Sequence, residues 1–400
     1  MEILYLGSFF PESQKKTILS NSIGVIQNAG DTFQKAVISG LIQHKRCDHI
    51  ITSPMIGSYP QRYKRVLFKG CEFEYKGIQH CVSTKFVNIS LYKIISRYHF
   101  VKREIELWMN KNEDEKYILV FSIDLSLLRA LSEIKKIKKN IHICLIVTDL
   151  IEFMVAPKNI LLKYVMMNFE KKTKKYLESV DSYVFLTRYM KDKLKIGNRP
   201  YIVVEGIYDN LSDNLQYEKE NIKTILYSGT LAKIYGIIHL LDAFSKIKNE
   251  NYHLWICGEG DARDVILKRS DSDSRIKYFG QLAREEVLIL QKKATVLINP
   301  RFSDSEFTKY SFASKTMEYM ASGTPVIMHP LKCLDEDYLN NIYIAYDESD
   351  EGLKNTIIEV CEKSKNELNT FGQNAAKFIV KNKNSYIQVG RILELIDNEK

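Results

Sequence analysis

The sequence predicts an α/β protein built from two doubly wound, parallel-sheet domains that face each other across a central cleft. Three observations carry that expectation. Strand-like and helix-like segments alternate along the whole chain, the rhythm of parallel sheets with helices on both faces. Four hundred residues exceed what one hydrophobic core serves and suit two. A polar stretch, Asp209–Asn221, separates two series of alternating segments that also differ in charge. Residues 1–200 hold 33 Lys/Arg and 19 Asp/Glu, a net +14, whereas residues 201–400 hold 25 and 30, a net −5.

The first domain is placed at residues 1–208. Its strands are expected at 3–7, 47–56, 117–123, 142–148, 182–187 and 201–205, each an apolar run rich in Ile, Leu, Val, Tyr and Phe. The chain enters 3–7 without a basic flank, so this run reads as a first strand and not as a secretory leader. Helices with one apolar face are expected over Asp31–Gln43, Ser126–Ile137 and Met154–Leu177. The second domain is placed at 209–383, with strands at 224–228, 252–257, 276–279, 295–299, 325–329 and 342–346. A last helix is read over about 384–396, within a terminal segment 384–400.

Bulk composition excludes several classes. No apolar run approaches the roughly 18 residues that span a bilayer. The seven cysteines (47, 71, 81, 144, 257, 333, 361) form no C-x-x-C and read as buried free thiols in a reducing cytosol, not as zinc ligands. Eight histidines show no metal-ligand spacing. The basic half brings no zinc-finger spacing, RNP-like aromatic motif or helix-turn-helix, so nucleic acid fits it less well than an anionic membrane surface.

The segment Tyr310-Ser-Phe-Ala-Ser-Lys-Thr-Met-Glu-Tyr-Met-Ala-Ser-Gly-Thr-Pro-Val-Ile327 carries the most chemistry. Met317, Met320 and Ala321 fall at helical spacing, Gly323 stops the helix, Pro325 prevents its return, and Val326-Ile327 begins a strand. Ser314 and Lys315 belong to the first turn, and Glu318 lies off the apolar stripe near the positive end of the helix. A carboxylate there can accept two ribose hydroxyls, while the neighbouring amides and Lys315 suit a diphosphate. A carboxylate that merely caps or solvates the helix accounts for Glu318 alone equally well.

On these residues the segment resembles the nucleotide-sugar site of retaining GT-B-fold glycosyltransferases of family 4, of the kind that build bacterial capsule, O-antigen or other exopolysaccharide. The resemblance is specific over 223–330 and diffuse over 1–200. It implies two Rossmann-like domains, an acceptor-binding one followed by a donor-binding one, with the last helix crossing back to the first. Three strand-to-loop turns fit the donor half: Ser228-Gly229-Thr230 before Lys233, Cys257-Gly258-Glu259-Gly260, and Phe279-Gly280-Gln281. A glycine at a strand end lets backbone approach a phosphate closely. The last of these resembles the family segment whose backbone reads the base.

Departures are equally plain. The family usually places Gly-Arg and a later Lys on the diphosphate, where this chain has Thr230 and Tyr235, with Lys233 two places earlier. The missing charge is expected from Arg301 and Lys315, or else from Lys233, which a solvated loop lysine explains as well. Of two glutamates spaced by seven residues, Glu318 keeps the second position and Tyr310 occupies the first. The pair Ser314-Lys315 resembles a subgroup of polysaccharide transferases with S-K-x-x-E. In the acceptor half, Gly24 can permit approach to the sugar phosphate or be a flexible connector. Asp149 follows Thr148 where relatives place His-Asp, and is a candidate for sugar or acceptor contact or a helix N-cap.

The resemblance implies a retaining hexosyl transfer from a nucleotide-diphosphate sugar, UDP-linked, to a lipid-linked or growing surface glycan. No cofactor and no metal are expected, since helix dipoles and basic side chains carry the diphosphate. Two basic, apolar-faced stretches, Tyr92–Lys111 and Asn159–Leu177, suit anionic lipid or a core with a solvated face. The protein is expected in the cytoplasm, peripheral at the inner face of the membrane. Two rivals are another GT-B enzyme, such as a phosphorylase or epimerase, and a degenerate GT-B subunit that binds a partner or lipid without turnover.

Overall fold

The computed structural model describes residues 3–24, 28–110, 115–150, 160–209 and 217–398. The chain divides into unit 1, Met1–Asp209 with Ser385–Lys400, and unit 2, Asn210–Asn384. Part of the Asp209–Asn221 stretch, residues 210–216, lies outside the described residues, as do 25–27 and 151–159.

Unit 1 runs β1 (Ile3–Gly7), α1 (Glu12–Asn21), α2 (Asn28–Gln43), β2 (Cys47–Thr52), β3 (Leu67–Phe68), β4 (Cys71–Tyr75), β5 (Ile78–Ser83), β6 (Phe86–Val87), α3 (Tyr92–Met109), β7 (Lys116–Phe121), α4 (Leu125–Ile137), β8 (Ile141–Val147), α5 (Ile160–Leu177), β9 (Ser182–Phe185), α6 (Met190–Leu194) and β10 (Tyr201–Val203). Its main sheet has the order β10-β9-β8-β7-β1-β2-β5-β4. All pairs are parallel except β4 on β5. Strands covered on both faces read as continuous apolar runs, and every residue of β1 is buried accordingly. The edge strand β4 instead turns Glu72 and Glu74 outward, charges that discourage further pairing.

Three expectations change here. The strand expected at 47–56 stops at Thr52, and the chain then builds the separate two-strand ribbon β3–β6. That ribbon and α1 close over a small core of their own: Phe10, Ile18, Ile56, Tyr63, Phe68 and Phe86. The second change concerns α3. Trp108 and Met109 are buried, so they pack inward and do not face lipid. Third, Arg97 is no surface cation.

The Arg97 guanidinium lies 2.5 Å from Asp124 Oδ2 and also donates to the Oγ and carbonyl of Ser53. Asp124 in turn caps α4, accepting from the amides of Ser126 and Leu127. Burial by itself raises the Asp124 carboxyl, but Arg97 and the two amides outweigh it and hold the group below the usual range. Its stabilisation is therefore complete above the unfolded value of about 4 and is lost as pH falls through the lower folded value. Asp124→Asn, which strands a buried guanidinium, is expected to destabilise unit 1 by about 3 kcal/mol at pH 7. Urea unfolding checks this, and the gap to wild type should narrow below pH 4. A gap that persists there would assign the loss to packing.

The C-terminal helix α15 (Ser385–Asp397) belongs to unit 1 and packs on α2. A Cβ on Gly40 would overlap the Ser385 carbonyl and Val389, so glycine lets the two helices lie flush. Arg46 pairs with Asp397 at 2.8 Å, and buried Gln388 donates to the Gly206 carbonyl at 3.1 Å.

Unit 2 runs β11 (Lys223–Ser228), α7 (Ile237–Ser245), β12 (Tyr252–Cys257), α8 (Arg263–Ser272), β13 (Ile276–Tyr278), α9 (Arg284–Lys293), β14 (Val296–Asn299), α10 (Glu306–Lys309), α11 (Ser314–Ala321), β15 (Val326–Met328), α12 (Glu336–Leu339), β16 (Tyr343–Ile344), α13 (Asp350–Cys361) and α14 (Lys365–Asn382). The sheet order is β13-β12-β11-β14-β15-β16, parallel throughout. Strand order reverses between β11 and β14, and in open α/β sheets such a switch point leaves a crevice at the carboxyl ends of its strands. The loops after β11 and β14 frame it. Among the described residues no helix is long and apolar enough to cross a membrane. All seven cysteines are free thiols.

Candidate functional site

The site in unit 2 begins with the ends of three strands. The Gly229 N–H donates to the Cys257 carbonyl at 3.0 Å, and the Gly258 N–H donates to the Gly280 carbonyl at 2.8 Å. Three turns that look separate in sequence are thus one hydrogen-bonded staircase along β11, β12 and β13. Gly258 sits at φ +133, and a Cβ there would overlap the Gly229 carbonyl oxygen. Gly260 abuts the backbone of Leu231 just as closely. Around Gly280 the space is open.

Helix α11 brings Lys315 and Glu318 to the foot of this staircase. The Lys315 side chain lies over Gly229, its Cε 3.5 Å from where a Cβ would stand, and its ammonium donates to Glu318 Oε1 at 3.1 Å. Gln291 of α9, fully buried, donates to the same oxygen at 2.9 Å and to Ser228 Oγ at 3.2 Å. One carboxylate oxygen is therefore held twice, while Oε2 has no protein partner among the described residues. Burial raises the Glu318 carboxyl, but Lys315 and the two hydrogen bonds prevail and keep it below its ordinary range. The helix itself is anchored by Tyr319. Its buried hydroxyl accepts from the Ser228 N–H at 2.7 Å and donates to the Ser228 carbonyl at 2.8 Å.

Across the switch point, the Arg301 guanidinium stacks 4.0 Å from the centre of the Tyr235 ring, which rests against Phe307 at 5.9 Å. Gly236, at φ +79, lets this loop press against the Pro300 carbonyl, where a Cβ would overlap. Tyr235 stands where the resemblance implies a lysine, and here it serves as the platform for an arginine. Lys233 is exposed, with its N–H donating to Asp261 Oδ1 at 2.8 Å. The exposed Thr230 offers its carbonyl to the Tyr227 hydroxyl at 2.8 Å.

The remaining candidates scatter. Ser314 is the exposed first residue of α11, and Gln281 is exposed beyond Gly280. Tyr310 is half-buried at the end of α10, where its N–H donates to the Phe307 carbonyl at 3.1 Å. Gly24 and Asp149 belong to unit 1. Gly24 is at φ +85 with open space around it. Asp149 keeps an exposed surface but is hemmed by protein, and the poor solvation lifts its carboxyl above the usual range. Sequence reasoning missed Gln291 and Tyr319, because each sits at ordinary core spacing on its helix and nothing local marks a hydrogen-bonding role. Among the described residues no three His, Cys, Asp or Glu side chains are grouped to hold a metal.

Two parallel α/β units, one with a switch-point site of this kind, define the GT-B fold, and solved structures agree. The chain aligns with sucrose-phosphate synthase from Thermosynechococcus elongatus at TM-score 0.66 and 13% identity, covering 100% of each chain. It aligns with Anabaena HepE, solved with UDP, at TM-score 0.63 and 11% identity, covering 100% of each. It also aligns with S. aureus TarM, solved with UDP, fondaparinux and alpha-GlcNAc-glycerol, at TM-score 0.62 and 10% identity, covering 99% of this chain and 100% of that one. Residues 212–378, nearly all of unit 2, match the family described as Glycosyl transferases group 1. With the fold, that match supports a transferase. No curated protein sequence matches the chain.

Proposed function

We propose that the chain is a retaining glycosyltransferase of family 4, of the capsule, O-antigen or exopolysaccharide type. It moves a hexose-type sugar from a UDP-sugar to a lipid-linked or growing surface glycan. The observation that carries this reading is the arrangement of Glu318 at the switch point. One of its oxygens is fixed by Lys315 and Gln291, the other is presented, and Lys315 is laid over the Gly229 turn. Oε2 would take the ribose hydroxyls, and Lys315 and Arg301 would neutralise the departing diphosphate without a metal. The amides at the glycine turns and the start of α11 would approach the phosphates and the base. Unit 2 would hold the donor, and unit 1, with Asp149 and Gly24, the acceptor. HepE and TarM were solved with UDP, which favours the same donor here. The enzyme would work in the cytoplasm, against the inner face of the membrane.

Titration calorimetry with UDP, GDP, dTDP and CMP tests the donor class. UDP alone should bind saturably, and Lys315→Ala should slow transfer roughly 100-fold while weakening UDP binding tenfold or less. Binding by none of the four nucleotides would favour the degenerate, partner-binding subunit that Thr148, Thr230, Tyr235 and Tyr310 keep open.

A further inference from the structure

We infer that the face of unit 1 formed by the β3–β6 ribbon, the loop before it and the start of α3 docks on an anionic lipid surface. The inference rests on the membrane-facing reading above and locates it. The segments form one surface. β3 pairs with β6, the Asn88 N–H donates to the Val66 carbonyl at 2.6 Å, and the Tyr59 N–H donates to the Asn88 carbonyl at 2.9 Å. Val87 is tied to α3 through its N–H on Ser96 Oγ at 2.9 Å. Beneath lies the small core of Phe68 stacked on Phe86 with their four neighbours, so the ribbon is supported and not frayed.

What this face presents is unusual for a solvated surface. Leu67 is 60% exposed, Leu91 57% and Tyr92 53%, with Ile89 and Ile95 beside them. A cluster of large apolar side chains on one face marks an interaction site. Leu91 is held at φ +62 and ψ −51, a backbone conformation that leucine rarely adopts, and strain of this sort persists mainly where it serves a site. Around these side chains stand the exposed cations Arg62, Lys64, Arg65, Lys69 and Lys85. None of the five pairs with a carboxylate among the described residues. Neither 55–70 nor 85–103 contains a single Asp or Glu.

Charge complementarity selects the occupant. Apolar side chains ringed by cations match the boundary between acyl chains and anionic headgroups. A second copy of this face would set its cations against their like. A polynucleotide would satisfy the cations but leave the leucines and isoleucines without partners, and only Tyr92 offers a ring for a base. Helix α5 is the competing surface in unit 1, since Lys171, Lys172 and Lys175 are exposed there.

Vesicle co-sedimentation decides the matter, run on the full chain with UDP affinity measured alongside. Arg62, Lys69 and Lys85 form no side-chain hydrogen bond or ion pair among the described residues, so R62E/K69E/K85E should fold normally. Wild type should bind phosphatidylglycerol-containing vesicles and not pure phosphatidylcholine ones. The triple variant should bind at least roughly 100-fold more weakly with UDP affinity unchanged. Leu67→Ser with Tyr92→Ser should cut binding in a way that added salt does not mimic. Three results would overturn the inference: wild-type indifference to anionic vesicles, wild-type-like binding by the triple variant, or loss confined to a Lys171, Lys172 and Lys175 reversal. Equal affinity for duplex DNA, unaffected by the Leu67 and Tyr92 changes, would reassign the face to nucleic acid. Vesicle binding without UDP binding would leave this face standing and remove the donor reading.

Discussion

Glu318→Ala is expected to weaken UDP binding by roughly 100- to 1,000-fold, the equivalent of about 3–4 kcal/mol. Each hydroxyl hydrogen bond to an ionised carboxylate is worth about 1.5–3 kcal/mol, and two would be lost together. The fold should survive, because the Glu318 side chain keeps 21% of its surface and the orphaned Lys315 ammonium keeps 40%, so water can take over. Glu318→Gln should recover part of the affinity, since an amide oxygen still accepts but carries no charge. The low-lying Glu318 carboxyl adds a pH statement. Its contribution to binding should be flat above about pH 5 and decline only as acid protonates it. Calorimetry across pH with both variants checks all three points. An alanine variant that binds UDP like wild type would falsify the ribose assignment.

The second large effect concerns stability. Gly258→Ala places a methyl group into the Gly229 carbonyl oxygen, at a φ of +133 that alanine avoids. Neither turn can yield without breaking the Gly229–Cys257 and Gly258–Gly280 hydrogen bonds that join the three strand ends. A loss of about 4 kcal/mol or more is expected, with unit 2 melting roughly 10 °C lower and UDP binding lost. Gly280→Ala is the internal control. It shares the positive φ, at +68, but meets open space, so about 1–2 kcal/mol should be lost. Equal melting temperatures for the two variants would contradict the close approach at Gly258.

Much of the architecture was readable because it is local. Ile141–Val147 and Lys223–Ser228 are apolar runs, and both fold as buried strands. Met317 and Met320 fall at helical spacing and are buried on α11. The glycines after β11, β12 and β13 announce turns whatever the fold. The ribbon β3–β6 was not readable, since two-residue strands have no periodicity and exist only by pairing with each other. The inward turn of Trp108, and the burial of Arg97 against Asp124, likewise depend on which surfaces meet α3.

The site divides in the same way. The sequence by itself determined the residue types that can do this chemistry: a carboxylate and a lysine one helical turn apart, glycines at strand ends, and arginine after a buried strand. Spacing along one helix and composition at one turn are properties of neighbouring residues, so they survive without a fold. Only the tertiary structure decided that Gln291 and Lys315 share a single oxygen of Glu318, that Lys315 covers Gly229, and that Tyr235 supports Arg301. Those contacts follow from strand order, with β14 beside β11 and β12 on its other side. Strand order is set by how the apolar faces of both units bury most completely, a balance over the whole chain that no short segment records.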